Sequence, residues 1–320
     1  MKRRDLLRNS AALGLAGALP FSRSVIAQSD SGSTRPSSAA VRAKPAAAIN
    51  KLTPPADGSI PVAFLISDGA VVIDFCGPWE VFDNVMAGGR MAAFRLFTVA
   101  ETAEPIKTSG GMKIVPNYTI GNAPAPKIIV IPAQSDASQA VLEWVRKSSR
   151  TADVTMSVCT GAYLLAATGL MAGRSMTTHH ASYFDLARQF PDIHVQRGAR
   201  FVEDGSFASA GGLSSGIDLA LRVVERYYGR DTAAQTAYAM EYQGRGWMDP
   251  NSNSVYARLR TSANGHPLCV VCSMAVDAAT APKSVYKGAT YYFCSLDHKG
   301  QFDAAPEQFV ALIRNTSSRN

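Results

Sequence analysis

Between residues 60 and 228 short apolar runs alternate with amphipathic stretches, and this alternation constrains the fold more than any other feature of the chain. The runs at 60–67, 94–100, 128–132 and 154–159 read as buried strands, and the segments at 81–86, 137–150, 163–170 and 217–228 read as helices. Strands that alternate with helices predict an α/β fold, with a mostly parallel sheet covered on both faces. In such sheets a functional site is expected at the carboxyl ends of the strands.

The two ends of the chain have a different texture. Lys2, Arg3, Arg4 and Arg8 open the sequence, a Gly/Ala/Leu stretch follows, and Val25-Ile26-Ala27 closes it with a small residue. This order reads as a twin-arginine export signal at 1–27, absent from the mature protein and directing it to the periplasm or outside the cell. Residues 28–58, rich in Ser, Ala, Pro and Lys without an apolar period, read as a disordered linker. The net charge is +7, of which the first 27 residues contribute +4 (five basic residues against Asp5), so the remainder carries only +3. So small a surplus gives no reason to expect a nucleic-acid partner. No apolar run reaches the roughly 18 residues of a membrane helix, so no integral membrane segment is expected. With 320 residues, 47% of them hydrophobic and 18% charged, the composition excludes a disordered tail or a fibrous repeat.

The sharpest local feature is Ser157-Val158-Cys159-Thr160-Gly161. A strand ends at a cysteine with small residues two positions away on either side, and a helix follows at once, which is the layout of a nucleophile elbow. The helix N-terminus behind it is expected to favour the thiolate, since such positions lower a thiol pKa from near ~8.5 to about 7.5 or below. A buried structural cysteine at a strand end is the alternative. Asp74 has a comparable alternative, as a helix N-cap ahead of Gly77-Pro78.

Several separated motifs then occur in one order. Val62-Ala63-Phe64-Leu65-Ile66, Ile73-Asp74-Phe75-Cys76-Gly77-Pro78-Trp79-Glu80, Cys159-Thr160-Gly161-Ala162, Thr177-Thr178-His179 and Ala210-Gly211-Gly212-Leu213-Ser214-Ser215-Gly216 resemble the ThiJ/PfpI superfamily, and within it the isonitrile hydratase branch. The resemblance implies a flavodoxin-like three-layer sandwich over 59–243, frequently a homodimer. It implies Cys159 as nucleophile, Asp74 as the acid/base beside the thiol, and Thr160 as the neighbour that holds substrate or water. The implied small-molecule substrate is an isonitrile, converted with water to an N-substituted formamide, and the cysteine chemistry requires no cofactor. His179 matches a histidine near the cysteine in other branches and stands either as a catalytic partner or as a packing residue beside His180. Gly77, Gly161 and Gly212 are expected to line the substrate site. Related domains open some AraC-type regulators, but the export signal and a following cysteine cluster point away from that role. Cys76 departs from the family pattern, and in an oxidising compartment it could pair with Cys159.

Residues 244–264 read as a polar hinge, and 265–316 as a compact cysteine module. Cys269 and Cys272 form a C-x-x-C pair, and Cys294 and His298 follow with three residues between them. Such a set can converge on one tetrahedral ion, and a core this small gains stability from it. A disulfide is the alternative. Pro267-Leu268-Cys269-Val270-Val271-Cys272, Tyr291-Tyr292-Phe293-Cys294-Ser295 and Phe302-Asp303-Ala304-Ala305-Pro306-Glu307 resemble the YHS domain of heavy-metal-associated proteins. Zinc and copper(I) both suit the thiolates. Met274 is expected in the core and His266 in a turn. The second reading of the whole chain is a periplasmic copper- or zinc-binding or thiol redox-stress protein without hydratase activity.

Overall fold

A computed structural model describes residues 50–313, apart from 57, 88, 89, 92 and 136. The stretch read as an export signal, 1–27, and most of the stretch read as a linker, 28–58, lie outside the described residues.

Seven strands form the central sheet: β1 (Ile60–Leu65), β2 (Phe94–Ala100), β3 (Tyr118–Thr119), β4 (Ile128–Ile131), β5 (Val154–Val158), β6 (Phe201–Asp204) and β7 (Phe207–Ala210). Their order is β6-β7-β5-β4-β1-β2-β3, with every pair parallel except the β6–β7 hairpin. The mostly parallel α/β sheet expected from the alternation of segments is therefore present. Its central strands β4 and β5 are buried at every position because both faces are covered. Alternate residues of one strand enter different cores: Ile128 and Val130 face one, Ile129 and Ile131 the other.

Helices α1 (Val72–Asp83), α2 (Gln139–Ser149), α3 (Gly161–Ala167), α4 (Tyr183–Gln189), α5 (Ser215–Tyr228) and α6 (Arg230–Ala239) supply the outer layers. Phe75 and Phe82 of α1, Leu219 and Val223 of α5 and Ala233 of α6 pack on one face. Leu142 and Val145 of α2, Leu165 of α3 and Leu186 of α4 pack on the other.

One boundary differs from the sequence expectation. Helix α1 begins at Val72 and not near residue 81, and it runs through Pro78. Its N-cap is Val71, which makes no side-chain cap, so Asp74 lies inside the first turn and is not the cap. The Gly77-Pro78 pair reads locally as a breaker, yet Pro78 is buried against α5, where Gly216 is close to its ring.

The stretch read as a polar hinge is folded down as a strap. Trp247 is buried and its N–H donates to Asp218 Oδ1 at 2.9 Å. Pro250 O accepts the Arg200 N–H, and Asn253 is bracketed by Arg200 and Ser215. The C-terminal module follows, with the hairpin β8 (Lys283–Tyr286) and β9 (Ala289–Tyr292), then α7 (Leu296–Ala304) and α8 (Pro306–Val310). Val270, Phe293, Phe302 and Phe309 form its own small core.

Candidate functional site

At the carboxyl end of β5 the backbone turns through Cys159 at φ 57°, a left-handed conformation that costs a non-glycine residue of order 1–3 kcal/mol. The turn is held from three sides. The Cys159 N–H reaches Gly211 O at 2.9 Å and Ala210 O at 3.2 Å, and the buried Thr178 hydroxyl donates to the Cys159 carbonyl at 2.9 Å. Only glycine fits two residues on, because a Cβ on Gly161 would lie 2.2 Å from Ile131 O.

The Cys159 side chain is almost fully buried and faces the Asp74 carboxyl from α1. The Leu213 and Thr160 N–H groups and the Thr160 hydroxyl are directed at its sulfur. Asp74 is completely buried; Ala133 N–H donates to its Oδ2 at 3.1 Å, while its Oδ1 has no hydrogen-bond partner. Burial pushes the Asp74 pKa from 3.8 up to about 6, against the opposing hydrogen bonds from Ala133 and the thiol. Burial, then the nearby Asp74 charge, pushes Cys159 from 9.0 up to about 11, while the N–H groups of Leu213 and Thr160 pull it back only in part. This corrects the expectation of a lowered thiol pKa. Desolvation and a neighbouring carboxylate outweigh a short helix N-terminus, and near neutral pH the stable state is a thiol facing a carboxylate.

The structure thus brings together Cys159, Asp74 and Thr160. His179 Nδ1 accepts the Ala181 N–H at 3.3 Å, and its ring presses on Gly212. Burial lowers its pKa, so the imidazole is neutral at pH 7. The three glycines expected around substrate line three different depressions. Gly212 borders a cavity of about 190 Å³ beside Leu213. Gly161 borders one of about 360 Å³ with Thr160 and Tyr163, and Gly77 an open apolar groove of about 620 Å³ with Ile73, Cys76 and Leu213. Cys76 and Cys159 are both free.

Two contributors escaped the sequence reading, the backbone N–H groups of Ala133 and Leu213. Backbone donors carry no residue signature; the only hint was the glycine run around 211–216, which lets a loop approach the elbow.

In the C-terminal module Cys269, Cys272, Cys294 and His298 bring their ligand atoms within 4.8 Å of one another. Cys272 and Cys294 Sγ are 3.6 Å apart, and His298 Nδ1 lies 3.5 Å from Cys269 Sγ and 3.1 Å from Cys294 Sγ. Tetrahedral zinc with these ligands has edges of about 3.5–3.8 Å, so the set fits one ion with little movement. A tight turn at Ser273, with φ 62°, sets the first two cysteines. The Cys269 thiol is drawn below its ordinary value, first by a hydrogen bond from Cys272. Met274 is 60% exposed and outside this cluster, so it is not the core residue expected, and His266 is exposed as well.

Comparison with known proteins places this geometry. Residues 61–226 match the model of the DJ-1/PfpI family, and residues 270–312 match the YHS domain. An isonitrile hydratase from Pseudomonas putida is 29% identical over 189 residues, covering 58% of this chain and 79% of that protein. An uncharacterized protein in the cpoL 5' region of Streptomyces lividans is 35% identical over 140 residues, 41% of this chain and 94% of that one. Among solved structures, a ThiJ/PfpI family protein from Pseudomonas syringae superposes with a TM-score of 0.53 at 25% identity, covering 64% of this chain and 84% of that one.

Proposed function

On the premise that this chain belongs to the DJ-1/PfpI family and carries a YHS domain, we propose that it is an exported, cysteine-dependent hydratase that converts isonitriles to N-substituted formamides, joined to a metal-binding module. The observation that carries the reading is the buried pair of Cys159 thiol and Asp74 carboxyl with an unpartnered Oδ1, in a chain similar to an isonitrile hydratase.

The pair holds one proton near neutral pH, and the chemistry uses it once in each half-reaction. The Asp74 carboxylate takes the thiol proton as Cys159 Sγ forms a bond to the terminal isonitrile carbon, and the same proton passes to that carbon, leaving a thioimidate. The Leu213 and Thr160 N–H groups stabilise the sulfur as its charge develops. Asp74 then accepts a proton from water as the water attacks the thioimidate carbon. The C–S bond breaks, the amide nitrogen is protonated, and the thiol is restored. The sum is isonitrile plus water giving formamide, with no redox change.

In the YHS domain Cys269, Cys272, Cys294 and His298 would hold zinc or copper(I). A bound ion would cross-link the C-x-x-C turn to α7 and stabilise the small core. The open apolar groove on α1 is the proposed face of a homodimer. Among the described residues no helix is long and apolar enough to cross a membrane.

Formamide production from a panel of aryl and alkyl isonitriles, with Cys159→Ala and Asp74→Asn as controls, tests the reading. We expect turnover in the wild type and its loss, by about 10³-fold or more, in Cys159→Ala. Absence of turnover across the panel removes the hydratase and favours the metal-handling reading, which the Cys/His cluster supports independently. The N-terminal residue of protein from the periplasmic fraction tests export.

A further inference from the structure

Leu213 directs its N–H at the Cys159 sulfur, yet its own side chain, 42% exposed, does little to hold that donor in place. The aim of the N–H is therefore set by its neighbours. The Ser215 N–H closes a turn on Gly212 O at 2.8 Å, with Leu213 and Ser214 at the centre of the turn. Just before it, Gly211 O accepts the Cys159 N–H at 2.9 Å, which ties this loop to the elbow.

Arg200 holds the loop on both sides of Leu213. Its carbonyl accepts the Gly211 N–H at 2.9 Å, and its Nη2 donates to Ser214 Oγ at 3.1 Å. Its Nη1 donates to Asn253 Oδ1 at 3.3 Å, and Asn253 Nδ2 in turn donates to Ser215 Oγ at 3.4 Å. Arginine suits the place because its planar fork offers several donors in fixed directions.

The strap at 244–264, which neither family match covers, fixes Arg200 itself. Pro250 O accepts the Arg200 N–H at 2.6 Å. Asp218, fully buried on α5, accepts from Arg200 Nε at 2.6 Å, from Tyr242 Oη at 3.1 Å and from the Trp247 N–H at 2.9 Å. The strap lies directly on this pair, since a Cβ on Gly246 would stand 2.6 Å from Asp218 Oδ2 and 2.8 Å from Arg200 Nε. A purely structural ion pair requires only Asp218. The bonds to Ser214 and Asn253 carry its rigidity on to the turn that presents Leu213.

We propose that Arg200 is a positioning residue of the cysteine site: through Ser214 and Asn253 it holds the Leu213 N–H on the Cys159 sulfur, which makes the strap part of that site. The inference deepens the hydratase reading, in which this N–H stabilises the sulfur as charge develops, and rests on it for its catalytic meaning. Asp74, the carboxyl that faces the sulfur, hydrogen-bonds to Ala133 and the thiol and not to this network, so changes in the network leave the opposing charge in place.

Alkylation by iodoacetamide tests the proposal without turnover. The Cys159 thiolate displaces iodide, and a donor on the sulfur raises the thiolate fraction. Site-resolved mass spectrometry on the full chain gives the rate constant at Cys159 at pH 8. We expect Ser214→Ala to slow alkylation by about threefold, Asn253→Ala to slow it as well, and Ser214→Thr to match the wild type. Leu213→Pro removes the N–H itself, at a turn position that accepts proline, and should slow alkylation by about tenfold. Adding Ser214→Ala to Leu213→Pro should then change nothing further, because the donor it positions is gone. A merely structural contact would not lose its effect in that background. An unchanged or faster rate in Ser214→Ala, or the same slowing in both backgrounds, overturns the proposal, and a wild-type rate in Asn253→Ala removes the strap from the site. Should Leu213→Pro not fold, the contrast between Ser214→Ala and Ser214→Thr decides. Formamide assays keep the two levels apart. If alkylation behaves as expected and no isonitrile is hydrated, the reaction is wrong; if isonitriles are hydrated and Ser214→Ala alkylates as fast as the wild type, the positioning is wrong.

Discussion

Asp74 sets a conflict between stability and chemistry. Its carboxyl is fully buried, and its folded-state pKa of about 6 lies above the unfolded value of 3.8. Below pH 4 both states are protonated and the stabilising contribution is complete; it is lost as pH rises through 6. Asp74→Asn removes that loss, so the variant should be more stable than the wild type at pH 8 by up to roughly 2–3 kcal/mol and nearly equal to it at pH 4. Urea unfolding at the two pH values measures this, and an equal difference at both would contradict it. The same carboxylate must be ionised to receive the thiol proton. Under the proposed mechanism kcat/KM rises with pH through about 6, and Asp74→Asn flattens that limb.

At the scale of elements, short features place the chemistry. Helix α1 begins early enough to put Asp74 in its first turn under the elbow, and α3 places Thr160 as its N-cap. In the C-terminal module the N-cap Ser295 accepts the His298 N–H at 3.2 Å. Cys294 precedes that cap and His298 sits in the first turn behind it, so one capped turn aims two of the four side chains of the Cys/His cluster. Ser295→Ala should cost about 1 kcal/mol of helix stability and lower metal affinity. Chelation should unfold this module while leaving the Cys159 domain intact, seen as a loss of hydrogen-exchange protection confined to 265–313. Protection that survives complete metal removal would show that the aromatic core suffices alone.

Across the whole molecule, contacts tie the YHS domain to the large one. Phe184 of α4 stacks on Phe309 of α8 at 4.1 Å, with the Arg197 guanidinium over Phe184 at 4.5 Å. The Leu259 N–H donates to Leu312 O, and Arg258 reaches Ala311 O. Phe309 is nearly fully buried, so Phe309→Ala should destabilise the module by about 3 kcal/mol. In calorimetry we expect the module to melt as a separate, earlier transition in that variant. A unitary melt identical to that of the wild type would mean that the interface contributes nothing.

How much of this was legible follows from what each feature depends on. The four principal parallel strands, the elbow at Cys159 and the Cys/His cluster were readable because each is encoded over a few neighbouring residues: an apolar run, small flanks around a cysteine, ligand spacing along one turn. The start of α1 was hidden because Gly77-Pro78 signals a break locally, and packing against α5 overrides that signal. The thiol pKa was misjudged for a related reason. The helix terminus behind Cys159 is visible in sequence, but the buried carboxylate opposite it comes from a strand crossover 85 residues away. The strap was hidden as well, since its polar residues read as linker until Asp218 and Arg200 are buried beneath them. Sequence by itself determined the fold class, the cysteine turn and the Cys/His cluster, which rest on local pattern. Only the tertiary structure decided the protonation of the pair, because desolvation arises from residues far apart in the chain.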